Sequence, residues 1–230
     1  MILYDLVISR GHLIIELADG KYIIDTGSPA SFGPNSLILF DGKEYHSNTQ
    51  MMAVAQLDNI SVFIGVPLNG LIGCDILRNY CIVLDLNKKK MIIKNDYYVN
   101  GGDTLVKTDM ELLPMYGLPL INIEINHPVK AFIDTGATIS YIKLHYTNNM
   151  QPIRQENDFH PMVGNFVADI FSFNVKIEGS NHNIELGVLP LNLEGLFANF
   201  GADAVLGYDL IKDKIVIFDY FLNKFIIKKP

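Results

Sequence analysis

Apolar residues along this chain come in short runs. "KYIIDTG", "CIVLDL", "KMIIK", "KAFIDTG", "KIVIFDY" and "KFIIK" are each a few Ile, Val, Leu or Phe residues bounded by Gly, Asn, Asp or Lys. That pattern predicts short β-strands separated by tight turns. Hairpin turns are expected at Asp19-Gly20, Asp41-Gly42 and Asn126-His127-Pro128. Helical periodicity is thin. "CDILRNY" and "YDLIKDK" each offer one turn of helix, with Asp75 and Asp209 near its start, where a carboxylate suits free amide groups. No apolar stretch reaches the roughly 18 residues of a membrane span.

The runs also repeat. "LIGCDILRNYCIVLDLNKKKMIIK" (Leu71 to Lys94) aligns without a gap on "VLGYDLIKDKIVIFDYFLNKFIIK" (Val205 to Lys228). Upstream, "LIIELADGKYIIDTG" matches "LINIEINHPVKAFIDTG" with a small gap at the turn. Each half runs in one order: an apolar hairpin, Asp-Thr-Gly, a variable middle, apolar-apolar-Gly, then a closing pair of strands. A repeat on this scale sets the architecture. The expectation is an all-β protein of two similar β-barrel-like lobes related by a pseudo-twofold axis. Residues 1–100 form the first lobe, 101–117 a connection marked by Gly101-Gly102 and Pro114, and 118–230 the second lobe.

Asp-Thr-Gly alone is a common turn. Two copies in register, Asp25-Thr26-Gly27 and Asp134-Thr135-Gly136, point to one site built from both halves. These residues, with Ile72-Gly73 and Leu206-Gly207 later in each lobe, resemble the aspartic peptidase family. Two lobes in one chain resemble its pepsin-type members, and the small size of each lobe resembles a retroviral-type subunit. The resemblance implies an acid-protease fold with its active site in the cleft between lobes. It implies Asp25 and Asp134 as the catalytic pair, and Thr26, Gly27, Ser28, Thr135, Gly136 and Ala137 as support of the two active loops. The threonines would bond across the lobe interface, and the glycines would let backbone amides approach the carboxylates. The implied activity is that of an endopeptidase acting on a peptide or protein substrate. The alternative is a catalytically silent peptide-binding or inhibitor-like relative.

The chemistry suits such a pair independently. Peptide hydrolysis without metal or cofactor needs one group to take a proton from water and another to protonate the carbonyl oxygen. Two carboxyls forced together share a proton, so one pair supplies both; aspartic proteases are a standard instance. Ser28 follows the first motif and Ala137 the second. A Ser28 hydroxyl bonded to Asp25, with no counterpart in the second lobe, would leave a less acidic activity optimum than two hydroxyls would. A substrate-covering hairpin is expected from Phe40–Met52, where Tyr45 is a candidate, or from Asn157–Asp169, where Val163 and Gly164 are candidates. The second lobe has more chain for it.

Composition removes several other classes. The formal charge of the 230 residues is -7, which argues against nucleic-acid binding. Lys88-Lys89-Lys90 and Lys228-Lys229 are read as a solvated turn and tail. His12, His46, His127, His145, His160 and His182 show no ligand spacing, so no metal site is expected. Neither Ser28 nor Ser140 has the context of a serine nucleophile. Asp75, Asp209, Asp85 and Asp219 are read as caps and turn formers. Two cysteines, Cys74 and Cys81, are too few for a disulfide framework, and no basic-then-apolar leader opens the sequence. A cytoplasmic monomer needing no processing step is the resulting expectation.

Overall fold

The computed structural model describes residues 1–48, 51–98, 103–160, 163–191, 193–195 and 201–230, without the side chains of 51–56. Gly101-Gly102 of the expected connection lies outside these residues. The fold is all-β, with two lobes, as the alternating apolar runs require.

The element that joins the lobes is a six-stranded antiparallel sheet. Its order is Ile2–Asp5, Lys90–Lys94, Cys81–Asp85, Ile215–Asp219, Lys224–Lys228, Thr104–Asp109. At its centre Val83 faces Ile217. The repeat aligns these same two residues, so the chain pairs a strand with its own copy across the pseudo-twofold axis. The stretch 101–117 is more than a linker: Thr104–Asp109 forms the edge of this sheet, and Glu111–Leu112 pairs with Pro119 and Leu120. The Lys228 side chain is not solvated tail. It is buried, donates to the Tyr98 hydroxyl at 3.0 Å and sits over that ring.

Each lobe threads its Asp-Thr-Gly the same way. In the first, Gly20–Ile24 runs parallel to Gly70–Ile72; in the second, the end of His127–Ile133 runs parallel to Ala204–Leu206. The Asp25 amide donates to Ile72 O at 3.0 Å, and the Asp134 amide to Leu206 O at 2.9 Å. Gly73 and Gly207 turn away directly after these strands. A Cβ on Gly73 would lie 2.8 Å from Ser28 O and Ala30 O, and one on Gly207 2.7 Å from Ala137 O. The apolar-apolar-Gly signal therefore marks a strand that supports the active loop, then a point where the backbones touch. Ser31 and Ser140 reinforce that point. Each hydroxyl accepts from the Gly73 or Gly207 amide and donates to Asp75 or Asp209. Asp85 and Asp219 accept amides from the hairpin turns that follow them.

The variable middles differ. The first lobe places a helix, α1 (Met51–Ile64), where the sequence showed little helical signal. Leu57, Ile60 and Ile64 form its buried stripe and pack on Ile14, Ile23 and Leu71. Gly65, at φ 74°, ends it, and the Ser9 hydroxyl donates to Ile64 O. The second lobe places a long hairpin instead, Arg154–His160 against Gly164–Ile177. No helix among the described residues is long and apolar enough to cross a membrane.

Because the closing strands of both lobes share one sheet, the lobes should lose structure together. Phe218 is fully buried and faces Phe225 across that sheet, with ring centroids 5.2 Å apart. Phe218→Ala is expected to cost about 3–5 kcal/mol. Urea unfolding followed by far-UV circular dichroism and by tyrosine fluorescence should give coincident single transitions. Two separated transitions would show that the lobes unfold independently.

Candidate active site

The two Asp-Thr-Gly loops meet at the seam between lobes. Their threonines lock together. The Thr26 amide donates to Thr135 Oγ1 at 3.0 Å, and the Thr135 amide to Thr26 Oγ1 at 3.0 Å. Each hydroxyl then donates across the seam, Thr26 to Ile133 O at 2.7 Å and Thr135 to Ile24 O at 2.8 Å. Both threonines are buried, so these four bonds have no competition from water. Every donor and acceptor of the grip is used, and each bond joins one lobe to the other.

Above this grip, Asp25 and Asp134 lie within hydrogen-bonding reach of each other. Asp25 Oδ1 accepts the amides of Gly27 (2.8 Å) and Ser28 (3.0 Å). Asp134 Oδ1 accepts those of Gly136 (2.7 Å) and Ala137 (3.2 Å). The glycines are needed for space. A Cβ on Gly27 would fall 2.3 Å from the Asp134 carboxyl, and one on Gly136 2.6 Å from that of Asp25. Each loop's glycine thus faces the opposite lobe's carboxyl.

The carboxyls open only toward the cleft, and protein surrounds them elsewhere. Burial raises the pKa of both. For Asp25 the neighbouring negative charge and the carboxyl–carboxyl hydrogen bond push further the same way, and the amides pull back less. For Asp134 the amides and that hydrogen bond oppose the rise. The pair therefore holds a proton above the usual carboxylate range, and it titrates as a unit.

The Ser28 hydroxyl does not reach Asp25. It donates to Ala30 O at 2.9 Å. The expected contrast between Ser28 and Ala137 is absent, since each carboxyl receives two backbone amides and no serine hydroxyl. An elevated pKa remains expected, but burial and proximity are its cause.

A cavity of about 420 Å³ stands over the pair. Ile23, Phe32, Ile60 and Leu71 line it from the first lobe, and Leu118, Phe132, Leu189, Leu193 and Val205 from the second. The second-lobe hairpin contributes Asp158, Phe159, His160 and Phe166. Phe159 stacks on Phe63 of α1 at 4.8 Å, linking hairpin to first lobe. The sequence had pointed to this hairpin through Val163 and Gly164. Val163 and Gly164 form its turn, His160 pairing with Gly164, and neither lines the cavity; Pro161 and Met162 lie outside the described residues. Tyr45 is elsewhere, its hydroxyl 2.6 Å from that of Tyr80, and α1 occupies the first-lobe side of the cavity. His12, Tyr141 and Asp158 had no motif to announce them. The one sequence hint was the aromatic residue after Ser31 and after Ser140: Phe32 and Tyr141 both line the cavity.

Against solved structures, the chain is similar to basic 7S globulin from soybean, with a TM-score of 0.55 over 99% of this chain and 94% of that one, at 11% identity. It also matches simian foamy virus (mac) protease, with a TM-score of 0.29 over 38% of this chain and 86% of that one, at 20% identity. No protein-family model and no curated protein matches it. The soybean likeness concerns the fold alone, and the viral one is too slight to carry an argument.

The raised pKa values give a stability test that needs no substrate. A carboxyl whose pKa is higher folded than unfolded binds its proton more tightly in the folded state. Folding then loses stability as pH climbs from the unfolded value, near 4, through the folded one. Asp25→Asn removes that penalty. The variant is expected to melt above wild type at pH 7, and the gap should close as pH falls toward 4. A variant that melts lower at pH 7 would contradict the burial argument. Thermal melts monitored by circular dichroism across this range decide it.

Proposed function

We propose that the chain is an aspartic endopeptidase, with Asp25 and Asp134 as its catalytic pair. The observation that carries this reading is the pair itself: two carboxyls within hydrogen-bonding reach of each other, each fed by two amides, beneath a largely apolar cavity. With one proton shared by the pair, one carboxyl acts as base and the other as acid. The base takes a proton from a water molecule, whose oxygen attacks the peptide carbonyl carbon. The acid gives its proton to the carbonyl oxygen. The resulting diol collapses as the newly protonated carboxyl gives its proton to the amide nitrogen, the other carboxyl takes one from a diol hydroxyl and the C–N bond breaks, which leaves the pair with one proton again. The hairpin Arg154–Ile177 acts as the lid that excludes bulk water, resting Phe159 on Phe63.

Asp25→Asn and Asp134→Asn should each lower kcat by about 10²–10⁴ while the fold persists, since a carboxamide of the same shape can neither take nor release the proton. Cleavage of a peptide library, read by mass spectrometry, with and without an inhibitor whose hydroxyl mimics the diol, tests this. Near-wild-type turnover by either variant would end the proposal. Tight binding of peptides without any cleavage by the wild-type chain would favour the silent relative instead. Since both carboxyls are shifted upward, the pH–rate profile of the wild type should stay active above the range in which isolated carboxyls have lost their protons.

A further inference from the structure

One end of the cavity departs from its apolar lining. Asp158, on the hairpin, is 7% exposed and lines the cavity. Its two oxygens are braced by separate hydroxyls: Thr138 donates to Oδ1 at 2.8 Å, and Tyr141 donates to Oδ2. Thr138 is four residues beyond Asp134 on the same loop, so this carboxylate is fixed relative to the pair. Two donors leave about half of a carboxylate's lone-pair positions open. Among the described residues Asp158 forms no ion pair with Lys, Arg or His.

The neighbours do not supply the missing positive charge. His12 and His160 line the same cavity, and burial lowers the pKa of both, which disfavours the cationic form of each. The His12 Nδ1 lies 3.0 Å from Arg10 O, and a carbonyl can only accept. The Nδ1 therefore carries a proton, which it donates to that carbonyl. Arg10 itself lies over the Phe63 ring, 5.3 Å from its centroid, and does not line the cavity. The remaining charged groups at the cavity, Asp25 and Asp134, are acidic as well. A buried carboxylate is costly without a cation partner, and this one faces a space that a ligand enters.

We propose that Asp158, braced by Thr138 and Tyr141, is a subsite for an organic cation of the bound peptide. The cation is an ammonium or guanidinium: a Lys or Arg side chain a few residues from the cleaved bond, or the peptide's own amino terminus. The inference rests on the peptidase reading for the identity of the ligand. It adds that the preferred substrate combines apolar side chains at the pair with one positive charge at Asp158. Tyr141 and Thr138 are positioning residues here, since they orient the carboxylate and do not themselves complement the charge.

The test uses matched peptides that differ at one position near the cleaved bond, carrying Lys, Arg or norleucine, each with a free or an acetylated amino terminus. The wild-type chain should favour the charged peptides by about tenfold in kcat/KM. If the preference follows Lys or Arg, the side chain is the ligand; if it follows the free terminus, the α-ammonium is. Either supports the subsite. Asp158→Asn keeps an acceptor for one of the hydroxyls but loses the charge, and should bring the charged-to-neutral ratio close to one, whatever its absolute rate. Asp158→Glu should retain a preference. A wild-type ratio near one overturns the proposal without recourse to any variant, and so does a ratio that survives in folded Asp158→Asn. The same peptides titrated against Asp25→Asn by fluorescence anisotropy separate the two readings. A charge preference in binding with no cleavage by wild type would sink the peptidase reading alone. Cleavage without charge preference would sink the subsite alone.

Discussion

Two carboxyl groups in a poorly solvated place repel each other as soon as both ionise, and nothing in their own chemistry keeps them together. The chain must therefore supply the restraint from below, and the reciprocal threonine bonds are that restraint. Thr26 and Thr135 tie each loop to the strand that carries the other loop, at Ile133 and Ile24. The glycines then let the loops close to a distance that any side chain would prevent. Removing one threonine hydroxyl would leave a buried amide and a buried carbonyl of the opposite lobe without partners, a cost far above that of one exposed bond.

This arrangement needs a rigid base, and the repeat provides it twice. In each lobe a serine six residues past the aspartate fastens the active loop to the turn after the supporting strand, with Asp75 or Asp209 receiving its hydroxyl. Those aspartates lie outside the cavity lining and serve as anchors. Below them, the shared six-stranded sheet fixes the lobes to one another through Val83 and Ile217. Hydrogen bonds join each loop to its anchor, and the chain then runs from each anchor through a short helix into the shared sheet.

What could be read from the sequence follows from how local each signal is. Strands, turns and the duplicated motif depend on neighbouring residues and on an echo in the other half, so the all-β, two-lobed fold was legible. The turn-forming roles of Asp85 and Asp219 were legible for the same reason, whereas Asp75 and Asp209, read as caps, instead bind Ser31 and Ser140 far away in sequence. α1 was not: six residues of Met51–Ile64 are Ile, Val, Phe or Leu, and its buried stripe gains meaning only against Ile14, Ile23 and Leu71. The Ser28 hydroxyl was misplaced because a choice between Asp25 and Ala30 O depends on the loop's curvature, which no residue type encodes. Asp158 was invisible because its partners, Thr138 and Tyr141, are brought to it by hairpin pairing rather than by sequence proximity.

The unlike middles of the two halves have a consequence for orientation. A pair of identical carboxyls on a twofold axis cannot tell one end of an extended chain from the other. Here the axis is respected by the loops and the sheet and broken above them. One wall includes Ile60 of α1; the other is a hairpin carrying Asp158, Phe159 and His160. A strand of peptide laid across the cleft would meet these walls in a fixed order, and turning it end for end would exchange its contacts. The departure from symmetry gives a site built from two copies of one motif a sense of direction.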